Sequence, residues 1–151
     1  MTTSRTALAQ PKPRLNFIGV ANTFTGHGRV SMELMTHMLL RGVNVAWQPL
    51  CYGERDNNQI PECFTDLFNK RVGGPGLFWA SFDHTIEPEQ RGSLRYVVHE
   101  SEQVPRAAIG MYQQTNCALA TPSFWNAQVL SRSGWRGPIY VVPHGISSQF
   151  S

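Results

Sequence analysis

One stretch near the start restricts the fold more than any other. LNFIGVA (15–21) is a short apolar run that reads as a buried strand. NTFTGHG (22–28) reads as a loop carrying Gly26 and Gly28. RVSMELMTHMLLRG (29–42) then sets Val30, Leu34 and Met38 four apart, with Met35 and Leu39 beside them, while Glu33, Thr36, His37 and Arg41 fall off that stripe. The spacing predicts an amphipathic helix with Gly42 just past its end. VNVAWQ (43–48) is the next strand. Strand, turn, helix and strand form a βαβ unit, and the right-handed crossover rule lays its two strands parallel.

The alternation continues along the chain. A helix is expected at 62–72, broken by the GGPG at 73–76, then a strand at 77–82, a loop at 83–92 and a strand at 94–100. A helix follows at 105–116, with Pro105 opening it, then a strand at 117–121, a helix at 122–134 ended by Gly134, and a strand at 138–143. Strands alternating with helices imply an α/β domain built on a parallel sheet covered on both faces. Residues 1–14, closed by Pro11 and Pro13, read as a disordered leader, and 15–151 as one domain. In such sheets ligands bind beyond the C-terminal ends of the strands, which selects 22–28, 48–56, 99–104 and 143–147.

Composition narrows the class. A length of 151 residues supports one cored domain, and 41% hydrophobic against 15% charged residues excludes a disordered chain. No apolar run is long enough to span a bilayer, and the first residues lack the apolar core of a secretory signal, so a cytoplasmic protein is expected. Cys51, Cys63 and Cys117 are odd in number and widely spaced, which suits reduced thiols and matches no zinc spacing with the five histidines. Residues 1–32 hold four basic and no acidic side chains, 33–102 hold six and ten, and 103–151 hold three and none. Basic ends around an acidic middle would suit an anionic ligand if the ends converge in the fold; the alternative is chance plus a basic tail. No dense basic cluster points to nucleic acid.

Three clusters carry candidate chemistry. Gly26, His27 and Gly28 follow a strand and open a helix, where free N–H groups favour an anion; the alternative is a plain tight turn. Ser31 stands where a dinucleotide fingerprint needs its third glycine, and Gln48 where it needs an acid, so a nicotinamide site is disfavoured. His99, Glu100 and Ser101 end a strand. The histidine or the glutamate suits a base or a group orienting substrate hydroxyls, although neighbours on an extended chain point to opposite sides. The alternative is one residue facing the site and one capping the next turn. His144 and Gly145 follow the last strand and either reach the same mouth or form a linker turn. His37 and His84 read as solvated, and Met32, Met35, Met38 and Met111 as core filling. There is no G-x-S-x-G elbow and no Walker loop.

Four segments together resemble the N-terminal half of a GT-B fold glycosyltransferase, of the retaining kind grouped as family 4 or group 1. They are TGHGRVSMELMTHMLLRGVNV (25–45), RYVVHESEQVPR (95–106), CALATPSFWNAQVLSRSGW (117–135) and PIYVVPHGISSQF (138–150), in the family's order. The last is the most telling. The resemblance implies a Rossmann-like acceptor-side domain that works with a nucleotide-sugar donor and a sugar, lipid or protein acceptor, usually without a metal and with no cofactor. By matching position, Gly26 and Gly28 would line the cleft near the donor phosphates. His99 and Glu100 would stand near the reacting carbon, Ser123 would start a helix at the cleft floor, and His144 and Gly145 would lead to the interdomain linker.

The residues at hand end just before the family's second domain, so its glutamate pair and the basic groups that steady the leaving diphosphate would have to come from a C-terminal domain or a partner chain. Cys117 also stands where the family often has an acid. The alternative expectation is a non-catalytic sugar- or anion-binding module or a truncated remnant. With its domain-facing surface uncovered, such a module would self-associate.

Overall fold

The computed structural model describes residues 11–21, 25–50, 60, 62–68, 70–79 and 93–145. Six strands are present: β1 (Arg14–Gly19), β2 (Asn44–Pro49), β3 (Gly76–Trp79), β4 (Leu94–Tyr96), β5 (Ala118–Thr121) and β6 (Ile139–Val141). The helices are α1 (Gly26–Leu40), α2 (Glu62–Thr65), α3 (Arg106–Gln114) and α4 (Phe124–Arg132). The strands form one sheet in the order β2-β1-β3-β4-β5-β6, and every pairing is parallel. Beyond β2, Phe68 adds a parallel bridge to Trp47, and the Trp47 N–H donates to the Leu67 carbonyl at 2.8 Å. The chain is therefore an α/β, Rossmann-like parallel-sheet domain.

Strand alternation divides the apolar residues between two faces. Phe17, Val45, Trp47, Leu77, Trp79, Tyr96 and Ala120 pack on the face that Met35 of α1 covers. Ile18, Phe78, Val97 and Leu119 face Ile109 and Tyr112 of α3 and Val129 and Leu130 of α4. The split follows from handedness. The β1-to-β2 step and the steps from β4 to β6 run in opposite directions across the sheet, so right-handed crossovers put their helices on opposite faces. On the α1 face, Val98, Tyr140 and Val142 remain exposed, at 41%, 56% and 47%. β6 is an edge strand of three residues between Pro138 and Pro143.

Several boundaries differ from the sequence expectation for local reasons. α1 starts at Gly26, not Arg29, because Thr25 caps it: its Oγ1 accepts the Gly28 N–H at 2.9 Å. At the other end Gly42 adopts φ +79°, the left-handed conformation expected of it. The helix expected at 62–72 closes at Thr65, since Phe68 then joins the edge of β2. The strand expected at 94–100 ends at Tyr96. Val97 N–H still reaches the Ala120 carbonyl at 2.8 Å, but His99 N–H is taken by the Asn126 side chain at 2.8 Å instead of the sheet ladder. Met35 is fully buried, Met32 and Met38 pack partly buried on the same core, and Met111 packs on the other. Cys63 and Cys117 are free thiols, while Cys51, His84 and the expected strand residues 80–82 lie outside the described residues.

Candidate functional site

Strand order reverses between β1 and β3, and there the C-terminal ends of the sheet open a crevice. Gly19 closes β1 at that point. A Cβ on Gly19 would fall onto the Trp79 carbonyl oxygen, and would stand 3.0 Å from Trp79 Cβ and 3.2 Å from the Phe17 ring. Only glycine lets the two strand ends approach this closely. Its carbonyl accepts from the Trp47 indole N–H at 3.0 Å and from the Leu50 N–H at 3.3 Å, which fixes the turn out of β2 as well.

The first turn of α1 stands beside this crevice. Gly26 and His27 are exposed and Gly28 is buried. The glycine pair read as a loop is thus the helix's own N-terminus, with no acidic side chain in its first turn. Ser31 is fully buried, and its hydroxyl donates to the His27 carbonyl at 3.0 Å. This back-bond within the helix occupies the position where a dinucleotide site would need bare backbone.

Four rings gather at the mouth. Trp79, ending β3, stacks on Tyr96, ending β4, with centroids 4.3 Å apart and planes at 24°. His144, just after β6, stacks on Tyr96 at 5.4 Å and 18° and leans on Trp79 at 5.7 Å. His27 meets Trp79 at 5.2 Å. The Tyr96 hydroxyl donates to the Val142 carbonyl at 2.6 Å, tying the exit of β6 to β4. Burial pushes the Tyr96 phenol up to about 12. Desolvation against the cluster, and then the neighbouring His144 charge, hold the His27 imidazole below its ordinary value. Trp79 is 2% exposed, and its indole N–H has no hydrogen-bond partner among the described residues.

A second group lies on the α3/α4 side. Ser123 caps α4 by accepting the Asn126 N–H at 3.2 Å, and it also accepts the Asn126 Nδ2 amide at 3.2 Å. Asn126 Oδ1 in turn accepts the His99 N–H. His99 is buried, and desolvation lowers its pKa, so a neutral imidazole is held there. Glu100 is exposed, as expected of its neighbour on an extended chain. Ser101 is also exposed, and its hydroxyl donates to the Gln103 carbonyl at 2.7 Å.

Of the residues selected from sequence, ring contacts bring His27 and His144 together, and a shared hydrogen-bonded amide links His99 to Ser123. Gly26 and Gly28 frame the first pair from α1. Gly145 is exposed, and among the described residues nothing lies within 4 Å of a Cβ placed on it. Glu100 and Ser101 have no described contact with either group. Sequence reasoning missed Trp79, Tyr96 and Asn126. The signal was available for the two aromatics, which sit at strand ends with the parity of the α1 face. Arg95 was also missed: it is fully buried, with its guanidinium 4.2 Å above the Phe78 ring and 5.1 Å from that of Tyr112.

The basic ends converge only in part. Arg29 lies in α1 at the mouth, whereas Arg14 opens β1 and Arg132 closes α4 at the opposite edge. Two surface grooves also lie away from the mouth, one of about 400 Å³ between α4 and β6 and one of about 560 Å³ beside Lys12 and Arg14. Among the described residues no three His, Cys, Asp or Glu side chains are placed to hold a metal ion, and no helix is long and apolar enough to cross a membrane. The chain matches no family model, no curated protein and no solved structure.

Proposed function

We propose that this chain is the acceptor-side half of a retaining glycosyltransferase that uses a nucleotide-sugar donor. The observation that carries the reading is the common address of the selected residues. The α1 N-terminus, the turn after β4, the cap of α4 and the residues after β6 all lie at the C-terminal edge of one parallel sheet. That edge is where open α/β sheets bind ligands. In this reading Gly26 and Gly28 admit the donor diphosphate to a helix N-terminus free of acidic side chains. The neutral His99 imidazole and the Glu100 carboxylate orient the acceptor hydroxyl and the sugar. The glycosyl–phosphate bond breaks, the acceptor oxygen takes the glycosyl group, and its proton leaves with the diphosphate. A second domain or partner chain closes the cleft and steadies the leaving group.

The test begins by reading the coding sequence past the Ser151 codon. The encoded protein, in its full length, is then offered UDP-, GDP- and ADP-sugars with and without sugar acceptors. Release of nucleoside diphosphate that falls at least about tenfold in the His99→Ala, Glu100→Ala double variant supports the reading. Unchanged turnover in that variant removes both residues from the catalytic assignment. Absence of donor binding and release in the full-length protein overturns the transferase and leaves a sugar- or anion-binding module.

A further inference from the structure

The ring cluster at the mouth holds more donors than the transferase reading uses. The N–H groups of Gly26 and His27 open α1 and have no helical acceptor. Trp79, whose ring touches both His27 and His144, carries a buried indole N–H that has no partner among the described residues. The two imidazoles are exposed, come from opposite ends of the chain, and stand close enough for the charge on one to disfavour the charge on the other. A cation is poorly served here, because the helix end is positive and its first turn carries no acid. A dianion is well served, because each imidazolium then gains an acceptor and the repulsion between the two is cancelled.

We infer that His27 and His144 form a proton-coupled clamp for a phosphoryl or sulfate dianion, seated at the N-terminus of α1 against the Trp79 indole. This inference rests on the proposed placement of the donor phosphates beside Gly26 and Gly28, and adds a regulation of that site by pH. Among the described residues, few other titratable groups neighbour the pair. From β4, Tyr96 stacks on His144 and stays neutral to about 12. From α1 comes the exposed Arg29, two residues after His27. Beyond β4, His99 is buried on the α3/α4 side with its pKa lowered by desolvation, and the exposed Glu100 makes no described contact with the pair. Binding raises the affinity of both imidazoles for protons, so capture is strongest at low pH and is lost as pH rises through their bound-state values.

Inorganic sulfate is the probe, because it remains a dianion over the whole range in which histidine titrates. It is titrated into the unmodified protein, with binding followed by calorimetry and by tryptophan fluorescence. Sulfate is expected to bind at least about tenfold more tightly near about pH 5.5 than near about pH 8, with proton uptake on binding. His27→Gln and His144→Asn should each flatten that dependence, and the double variant should abolish it. Equal affinity at both pH values, or an unchanged profile in the double variant, overturns the clamp. If the variants fail to fold, the histidine ring resonances of the unmodified protein decide the matter: sulfate must raise the apparent pKa of both His27 and His144, and no movement overturns the inference. A protein that captures sulfate in this way but releases no nucleoside diphosphate keeps the clamp and loses the transferase. A transferase whose sulfate affinity ignores pH does the reverse.

Discussion

Replacing Gly19 by alanine tests whether the crevice is as tightly built as described. The added methyl group meets the Trp79 carbonyl oxygen, the Trp79 Cβ at 3.0 Å and the Phe17 ring at 3.2 Å. The first two belong to the main chain and the root of a side chain in the neighbouring strand, so no rotamer change clears them. Overpacking a core by one methyl group costs about 1–3 kcal/mol, and contact with a fixed backbone puts this case at about 3 kcal/mol. For a domain of this size that corresponds to a fall in Tm of roughly 6–12 °C. Urea denaturation with an unchanged m-value and a lower midpoint is the assay. Near-UV circular dichroism should change too, because Trp79 must move against Tyr96 and His27. Gly26→Ala is the control: among the described residues nothing lies within 4 Å of a Cβ at that position, and its stability should stay within about 0.5 kcal/mol of the parent. A loss below about 1 kcal/mol for Gly19→Ala, or an equal loss for the control, refutes the close approach of β1 and β3.

Three further outcomes are expected. Thr121 is fully buried and its hydroxyl lacks a hydrogen-bond partner among the described residues, so Thr121→Val should stabilise the fold by about 1 kcal/mol in urea melts, and a loss of that size would contradict it. Asn126→Ala removes the acceptor of the buried His99 N–H and should cost about 1–3 kcal/mol, with a shifted His99 amide resonance; a neutral result would break the link between His99 and α4. His27 and His99 have lowered values in the folded protein, so the unfolded chain takes up protons first. Stability should therefore decline as pH falls below about 6.5 and level off once pH passes below the folded values, as thermal melts across that range would show.

The fold was legible because its signals are local and repeated. Val30, Leu34 and Met38 announced α1, and the runs around Phe17, Leu77 and Leu119 announced buried strands. Boundaries failed where one side chain decides them. Thr25 recruits Gly26–Gly28 into the helix, and Asn126 draws the His99 N–H away from the sheet. Neither effect has a period to detect. The mouth was legible as an address, since strand ends can be counted from the sequence. Its contents were not. Trp79 and Tyr96 meet because β3 and β4 are neighbours in register, and His144 reaches them only after the chain has crossed the rest of the sheet. Arg95 gave no warning at all, because a buried cation between two rings contradicts the apolar pattern from which its strand was read.

The two margins of the sheet bear on how this domain behaves at high concentration. Beside β2, the single bridge from Phe68 already takes up part of the outer backbone, leaving a neighbouring molecule little to pair with. At the other margin β6 offers three residues, roughly 10 Å of ladder, before Pro138 or Pro143 interrupts it with a backbone nitrogen that carries no hydrogen. Tyr140 and Val142 make that margin sticky, but the prolines keep it short. Among the described residues, both margins therefore favour adhesion through side chains over strand-to-strand pairing.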